Sequence, residues 1–135
     1  MREIGIRAFF DLRNALEATL KNYAKKTLLH NSIVTAEQAL ETDIVAAAQW
    51  VIHAGGKLLP LHSAILGDFW SRGLNKETAL WDGETGFSKA RWKFWARRFE
   101  EGAKEEWMSE DGSRLAKEAA NIIRGHLSQQ SGQLP

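Results

Sequence analysis

The residues that could carry acid–base or metal chemistry are few and widely spaced. Four histidines are the only side chains that titrate near neutral pH without perturbation. His53 and His62 flank the Gly55–Gly56 pair, and a metal ion held between them would need a carboxylate such as Asp43 or Asp68. The sequence contains no His-x-x-x-His or Glu-x-x-His spacing. We therefore predict no metal site and no cofactor, and no residue is nominated as catalytic.

A second candidate is the segment ARWKFWARRF at residues 90–99, which concentrates aromatic and basic side chains. Successive residues of a helix turn by about 100°. Trp92, Trp95 and Phe99 then share one face, which predicts that they lie in the core. Each indole can bury on the order of 200 Å² of surface.

The remaining residues of that segment predict a contact surface. Phe94 points about 160° away from the core face, and we place Arg91, Arg97 and Arg98 around it. An aromatic anchor ringed by guanidinium groups resembles an interface hot spot, so these four residues are the predicted partner-binding site. The alternative is one exposed phenylalanine on a solvated helix face. Single-stranded nucleic acid is disfavoured, because the aromatic residues diverge in direction and an acidic stretch follows.

A third candidate is the glycine-flanked segment LWDGETGFS at residues 80–88. In one interpretation Trp81 closes the end of a helical bundle and Asp82 caps a turn. In the other interpretation the segment is a lid over a pocket for a flat apolar ligand. The predicted ligand-binding residues are then Trp70, Trp81, Trp92 and Trp95.

The elements that must position these residues are all helical. Apolar residues recur at three- and four-residue steps, whereas no segment alternates with the period of a strand. We predict one long helix over residues 6–29 and a central helix that begins after a Thr35–Gln38 capping box and ends at Gly55–Gly56. Further helices are predicted from Pro60 to Gly73, from Ser88 towards Trp107, and from Ser109 onwards.

The predicted fold class is all-α, a compact single-domain bundle of five or six helices. Residues 43–54 would lie at its centre, with the Trp92, Trp95 and Phe99 face packed upon them. The domain would span residues 1–127, and the polar residues 128–135 are expected to be disordered.

Composition limits the classes of partner. The 135-residue chain has a net charge of +1, so long-range electrostatics favour neither nucleic acid nor an anionic membrane. It has no cysteine, which excludes disulfides and thiolate chemistry. No apolar run is long enough for a signal peptide or a membrane span. We expect an intracellular, cytoplasmic protein that binds neither nucleic acid nor a membrane.

Three segments together resemble a fungal family of all-helical proteins of unknown function. They are DIVAAAQWVIHAGGKL, LWDGETGFSKARWKFWARRF and SRLAKEAANIIRGHL, and they span roughly residues 43–127. The most specific part is the pattern W-x-G-x-x-G-F-S-x-x-R-W-x-F-W. The resemblance implies a fungal, intracellular helical domain, and it carries no catalytic residues over to this chain.

Two functions follow as hypotheses. The preferred one is a non-catalytic module that binds a protein partner, or a second copy of itself, through Phe94 and its arginines. The alternative is a pocket protein for a small apolar ligand, or an enzyme of fungal specialised metabolism, with the Trp81 segment as its lid. The first is preferred because no acid, base or nucleophile can be assigned from spacing.

Overall fold

The apolar stripes of the sequence become five helices in the part of the chain that the structure describes. The structure is a computed structural model and describes residues 2–29, 33–60, 80 and 88–132. The helices are α1 (Arg2–Leu16), α2 (Leu20–Leu29), α3 (Ala36–Leu58), α4 (Lys89–Ala103) and α5 (Glu110–Gly132). The described part of the chain contains no strand. The predicted all-α bundle is therefore confirmed. The helix predicted from Pro60 to Gly73 lies, apart from Pro60 itself, outside the described residues.

The helix α3 is the hub of the bundle. It packs against α1, α2 and α5 over long stretches and touches α4 near one end. Its Ala47, Ala48 and Val51 are fully buried. The tryptophan-bearing helix α4, in contrast, packs mainly on α5 and only slightly on α3. The Trp92, Trp95 and Phe99 face belongs to the same buried core as the central residues of α3, and its packing upon that helix stays a prediction.

The N-terminal region is two helices, so the prediction of one helix over residues 6–29 was wrong. The chain leaves helical geometry at Glu17–Thr19, which we call the elbow. A local cap restarts it: the Asn22 backbone N–H donates to Thr19 Oγ1 at 3.1 Å, and Asn22 Oδ1 accepts from the Thr19 backbone N–H at 2.9 Å. This reciprocal pair satisfies backbone donors that the new helix leaves open.

Gly55 and Gly56 do not end the central helix as predicted. The helix α3 continues to Leu58, and the Leu59 N–H still donates to the Gly55 carbonyl at 2.9 Å. A Cβ atom on Gly55 would come within 3.3 Å of Ile122 Cγ2. Gly55 therefore lies at a close approach of α3 and α5, where a Cβ atom would make an unusually tight contact with the Ile122 side chain.

Three of the predicted helix starts, after Thr35, Ser88 and Ser109, are confirmed by their caps, whereas the first helix begins at Arg2 and not at residue 6. Thr35 and Gln38 form the reciprocal capping box at the start of α3. Ser88 Oγ accepts from the Arg91 N–H at 3.1 Å, and Ser109 Oγ accepts from the Gly112 N–H at 3.0 Å. The helix α4 ends at Ala103, before Trp107.

The last helix is longer than predicted. The helix α5 runs to Gly132, past residue 127, where the folded domain was expected to end. The expected tail over residues 128–135 therefore begins as helix, and residues 133–135 lie outside the described part of the chain.

Candidate functional site

The segment at residues 90–99 forms most of α4 and presents two different surfaces. Its core face matches the prediction: Trp92, Trp95 and Phe99 are all buried. The two indoles meet edge to face, with ring centroids 5.0 Å apart, and Trp95 meets Phe9 of α1 in the same way at 5.8 Å. Edge-to-face contacts of this kind stabilise the pairing beyond the area that they bury.

The core face of α4 packs against a buried carboxylate. Glu17 at the elbow is 1% exposed. The Arg91 Nε donates to Glu17 Oε2 and its Nη2 donates to Oε1, both at 2.6 Å. The Trp95 Nε1 donates to the same Oε2 at 2.6 Å. A bidentate guanidinium and an indole N–H together replace the hydration that burial removes from the carboxylate.

Arg91 is therefore not part of an outward surface, and its predicted placement beside Phe94 was wrong. Only 1% of Arg91 is exposed. Its guanidinium carbon also lies 4.8 Å from the ring centroid of Phe9 and 5.6 Å from that of Trp95. Arg91 precedes Trp95 by four residues, and such positions are neighbours on a helix surface. Arg91 therefore lies beside Trp95 on the core face, and it is buried because both side chains donate to Glu17.

Arg98 follows the same inward edge of α4. Its Nε donates to the Leu16 carbonyl at 3.0 Å, and its Nη2 donates to the Ala18 carbonyl at 3.4 Å. These carbonyls lie at the C-terminal end of α1 and in the elbow, where a backbone carbonyl has no N–H donor within the helix. We call Arg91, Trp95 and Arg98, with Glu17, the clamp. Leu80 adds to it, because its N–H donates to the Glu17 carbonyl at 3.2 Å.

The clamp is built for structure and not for turnover. Both carboxylate oxygens of Glu17 accept donors from α4, and the group has no exposed surface through which a substrate could reach it. A general acid or base must come within hydrogen-bond distance of the group that it serves. Glu17 was not predicted, because no local spacing shows which carboxylate faces Arg91 and Trp95 across the bundle.

The outer surface of α4 retains the other half of the motif. Phe94 is half-buried, and the Arg97 guanidinium carbon lies 5.3 Å from its ring centroid. A shallow cleft of about 270 Å³ opens there. We call it the outer cleft. Its lining residues are Ala90, Lys93, Phe94, Arg97 and Arg124.

Arg124 brings a second helix to the outer cleft. Its Nε and Nη2 donate to the two carboxylate oxygens of Glu100 at 2.8 and 2.7 Å. This pairing lowers the pKa of Glu100 and raises that of Arg124. It joins α5 to α4 and fixes one wall of the cleft. Arg124 was not among the predicted residues, and it could not have been found without knowing that α4 and α5 pack together.

The predicted aromatic pocket cannot be assembled from the described residues. Trp92 and Trp95 lie inside the core, and neither contributes to the outer cleft. Trp70 and Trp81 lie outside the described residues, as does the lid segment that contains Trp81. The pocket remains a prediction.

Two further expectations concern metal ions and membranes. Over residues 2–29, 33–60, 80 and 88–132, no group of three potential ligands could hold a metal ion. His53 makes a 2.7 Å hydrogen bond with Gln49 one turn earlier in α3. His62 and Asp68 lie outside this part of the chain. None of the helices seen here is long and apolar enough to span a bilayer.

Comparison with known proteins places the chain in a family. No curated protein and no solved structure matches the chain. One family model, described as "Protein of unknown function (DUF3632)", matches residues 3–99. The match begins earlier and ends earlier than the resemblance over residues 43–127 predicted, and it takes in the elbow and the clamp. Because this match covers well over half of the chain, the chain belongs to the family of proteins of unknown function called DUF3632.

Proposed function

We propose that this protein is a non-catalytic module that binds an acidic segment of a protein partner at the outer cleft. The observation that carries the proposal is the pairing of Phe94 with Arg97 in a cleft that Lys93 and Arg124 also line. Aromatic and arginine side chains are the types most enriched among the residues that dominate binding energy.

The charges of the outer cleft favour an acidic partner. Three cations line the cleft, and two carboxylates offset part of their charge. Glu100 is bound to Arg124, and Glu101 lies 3.8 Å from Arg97 across one helical turn. Lys93 is exposed and makes no salt bridge with any residue that the structure describes. A carboxylate of a partner would therefore complete the charge pattern, while Phe94 would contact an apolar side chain next to it.

Partner selection tests the acidic preference. A displayed peptide library would be selected on the immobilised full chain, and the affinity of the enriched peptides would be measured by fluorescence polarisation. We expect sequences that place one large apolar residue among acidic residues. Enrichment of basic or uncharged peptides would contradict the proposal.

Two variants then locate the binding surface. Phe94→Ala should weaken binding by roughly tenfold or more, since hot-spot truncations cost about 2 kcal/mol. Arg97→Gln should weaken it less, because the guanidinium is largely exposed. The matched control is Phe10→Ala, which removes another ring under a guanidinium: Arg13 lies 4.6 Å from the Phe10 centroid on α1. Equal losses in Phe94→Ala and Phe10→Ala would show that the peptides bind elsewhere.

The other expectations stay proposals. A pocket for a small apolar ligand beside Trp70 and Trp81 is the alternative function, and quenching of tryptophan fluorescence by an apolar ligand would support it. A fungal origin, a cytoplasmic location and the lack of affinity for nucleic acid or membranes also remain predictions from the sequence.

A further inference from the structure

The helix α2 carries an apolar stripe that nothing in the described structure covers. Leu20, Ala24 and Leu28 follow one another at four-residue steps, so they lie along one side of the helix. All three are exposed, and the two leucines are 38% and 83% exposed. The buried residue Tyr23 faces the bundle on a different side. Large apolar side chains left this exposed in a stripe indicate an interaction surface.

A cleft lies beside the first residue of the stripe. It measures about 100 Å³, and we call it the Leu20 cleft. Its apolar walls include Leu20, Leu40, Ile44 and Trp107, and its polar rim consists of Arg98, Glu101 and Glu105. An apolar cavity of about 150 Å³ holds a benzene molecule, so this cleft is of the right size for one aliphatic side chain.

The exposed face of α2 is basic, whereas the rim of the Leu20 cleft carries exposed carboxylates. No acidic residue occurs between Glu17 and Glu37, whereas Lys21 and Lys25 are exposed on α2. Lys25 stands three residues before Leu28, hence on the same side of the helix. Glu105 lines the Leu20 cleft and is exposed. Neither Lys25 nor Glu105 forms a salt bridge within the described residues.

We propose that two copies of this chain form a dimer through antiparallel α2 helices, each inserting Leu28 into the Leu20 cleft of the other. A twofold axis at Ala24 sets residue 20 of one copy opposite residue 28 of its partner. Ala24 at the crossing is small enough for the helices to approach closely. Lys25 of each copy then reaches the rim of the opposite cleft, where Glu105 supplies the counter-charge. The two contacts are equivalent, so the assembly closes as a dimer.

The occupant follows from complementarity within one chain. The helix α2 begins at Leu20, which lines the cleft. The same helix carries Leu28, which the cleft can hold, and Lys25, which the carboxylate of Glu105 attracts. Leu20 and Leu28 are about 12 Å apart along the helix axis, and the same spacing recurs in the partner when the helices run in opposite directions. This surface is separate from the outer cleft, so the dimer and the partner site can be disrupted independently.

Sedimentation velocity over a wide range of concentrations tests the dimer with the full chain. The interface is limited to one ten-residue helix and the rim of a cleft, well below a standard-size interface, so a weak and reversible dimer is expected. The mass should rise from one chain to two chains and no further. A monomer at every concentration, or growth beyond two chains, overturns the proposal.

Adjacent leucines provide a matched pair of variants. Leu28→Ser should weaken dimerisation by roughly tenfold or more, because it removes the apolar group that enters the cleft. Leu29 is 73% exposed but points about 100° away from Leu28. Leu29→Ser should therefore leave the dimer unchanged. Both side chains are exposed, so both variants should retain wild-type helicity by circular dichroism. Equal effects of the two substitutions would refute the geometry.

A charge exchange tests the pairing between copies. Lys25→Glu and Glu105→Lys should each weaken the dimer, and the double variant should restore it. Lys117→Glu, an exposed lysine on α5, serves as the control of equal charge change. If the double variant stays as weak as the single ones, Lys25 does not face Glu105. If the chain stays monomeric but binds a foreign leucine-containing peptide at the Leu20 cleft, the occupant is another protein and the proposal fails.

Discussion

The two sides of α4 carry the same residue types and use them in opposite ways. On the inner side, Arg91 is buried against two aromatic rings and a carboxylate. On the outer side, Arg97 also lies against an aromatic ring, yet its side chain is 63% exposed. The difference is the group opposite: Glu17 meets Arg91 from the elbow, whereas the one ion pair of Arg97 among the described residues is with Glu101 of its own helix, at 3.8 Å. An arginine beside an aromatic residue is therefore structural or available for binding according to what packs across from it.

Substituting each arginine by glutamine gives the largest expected contrast. Arg91→Gln should lower the free energy of unfolding by roughly 3–5 kcal/mol, because it leaves the Glu17 charge buried without its partner. Arg97→Gln should change it by less than about 0.5 kcal/mol, as is usual for exposed sites. Urea unfolding followed by circular dichroism measures both. Similar losses for the two variants would remove the distinction between the two sides.

Removing both members of the buried pair sharpens that prediction. In a Glu17→Gln/Arg91→Gln double variant no uncompensated charge remains, so the loss should be smaller than the sum of the losses in Glu17→Gln and Arg91→Gln. Strictly additive losses would mean that the two side chains act independently, contrary to their 2.6 Å contacts.

The next contrast compares two indoles that donate to carboxylates at the same distance. Trp95 Nε1 donates to buried Glu17 at 2.6 Å, and Trp50 Nε1 donates to half-buried Asp11 at 2.6 Å. Trp95→Phe should cost roughly 2–3 kcal/mol, within the range for charged hydrogen bonds. Trp50→Phe should cost about 1 kcal/mol, since water can replace the lost donor. The free energy of unfolding of both variants checks the order, and an inverted order would count against the inner clamp.

A pH-dependent effect is expected at the junction of α1, α2 and α3. The Tyr23 hydroxyl donates to Asp43 Oδ2 at 2.6 Å, and it also lies 3.1 Å from the Asn14 carbonyl. Burial, followed by the Asp43 hydrogen bond and charge, raises the pKa of Tyr23. Tyr23→Phe should cost about 1–2 kcal/mol at neutral pH.

The sign of the pH dependence follows from the raised pKa. The neutral phenol is favoured in the folded state, so its contribution is complete below the unfolded-state pKa of about 10 and is lost as the pH rises above it. Wild-type stability should therefore fall more steeply above that pH than the stability of Tyr23→Phe. Urea unfolding at a series of alkaline pH values tests this, and parallel curves would contradict it.

The smallest effect is expected at the wall of the outer cleft. Glu100→Gln removes an exposed ion pair with Arg124, and such pairs are worth about 0.2–1 kcal/mol. Hydrogen bonding to Arg124 lowers the Glu100 pKa, so this contribution is present above the unfolded-state pKa and is lost as the pH falls through the folded one. The difference between wild type and variant should disappear in acid and shrink with added salt. A difference that persists in both conditions would exclude a simple ion pair.

The sequence predicted the features that depend on local chemistry. The caps at Thr35 and Ser88 and the core position of Trp92 follow from residue types and helical periodicity. The helix break at Glu17 was not predicted, because Leu16, Leu20 and Tyr23 keep the same three- and four-residue spacing across it. Periodicity detects which face is apolar and cannot detect a bend that keeps that face in phase. The Thr19-x-x-Asn22 pair was the local indication of a restart.

The site depended on tertiary contacts that no spacing reveals. Gly55 was interpreted as a helix end because its packing partner, Ile122, lies on a helix far along the chain. The outer cleft likewise needs Arg124 beside Phe94. Arg91 was misplaced for the same reason, since the carboxylate that draws it inward is separated from it by 74 residues.

That separation has a consequence for biosynthesis. Chains emerge from the ribosome from the N-terminus at about 5–20 residues per second, so Arg91 is added roughly 4–15 s after Glu17. During this interval the glutamate has no guanidinium to accompany it into an apolar interior, and burying its charge alone is strongly unfavourable. The first two helices can form early and pack on α3, but the elbow between them is completed only when α4 arrives. Nascent chains stalled before residue 91 should accordingly leave Glu17 in contact with water.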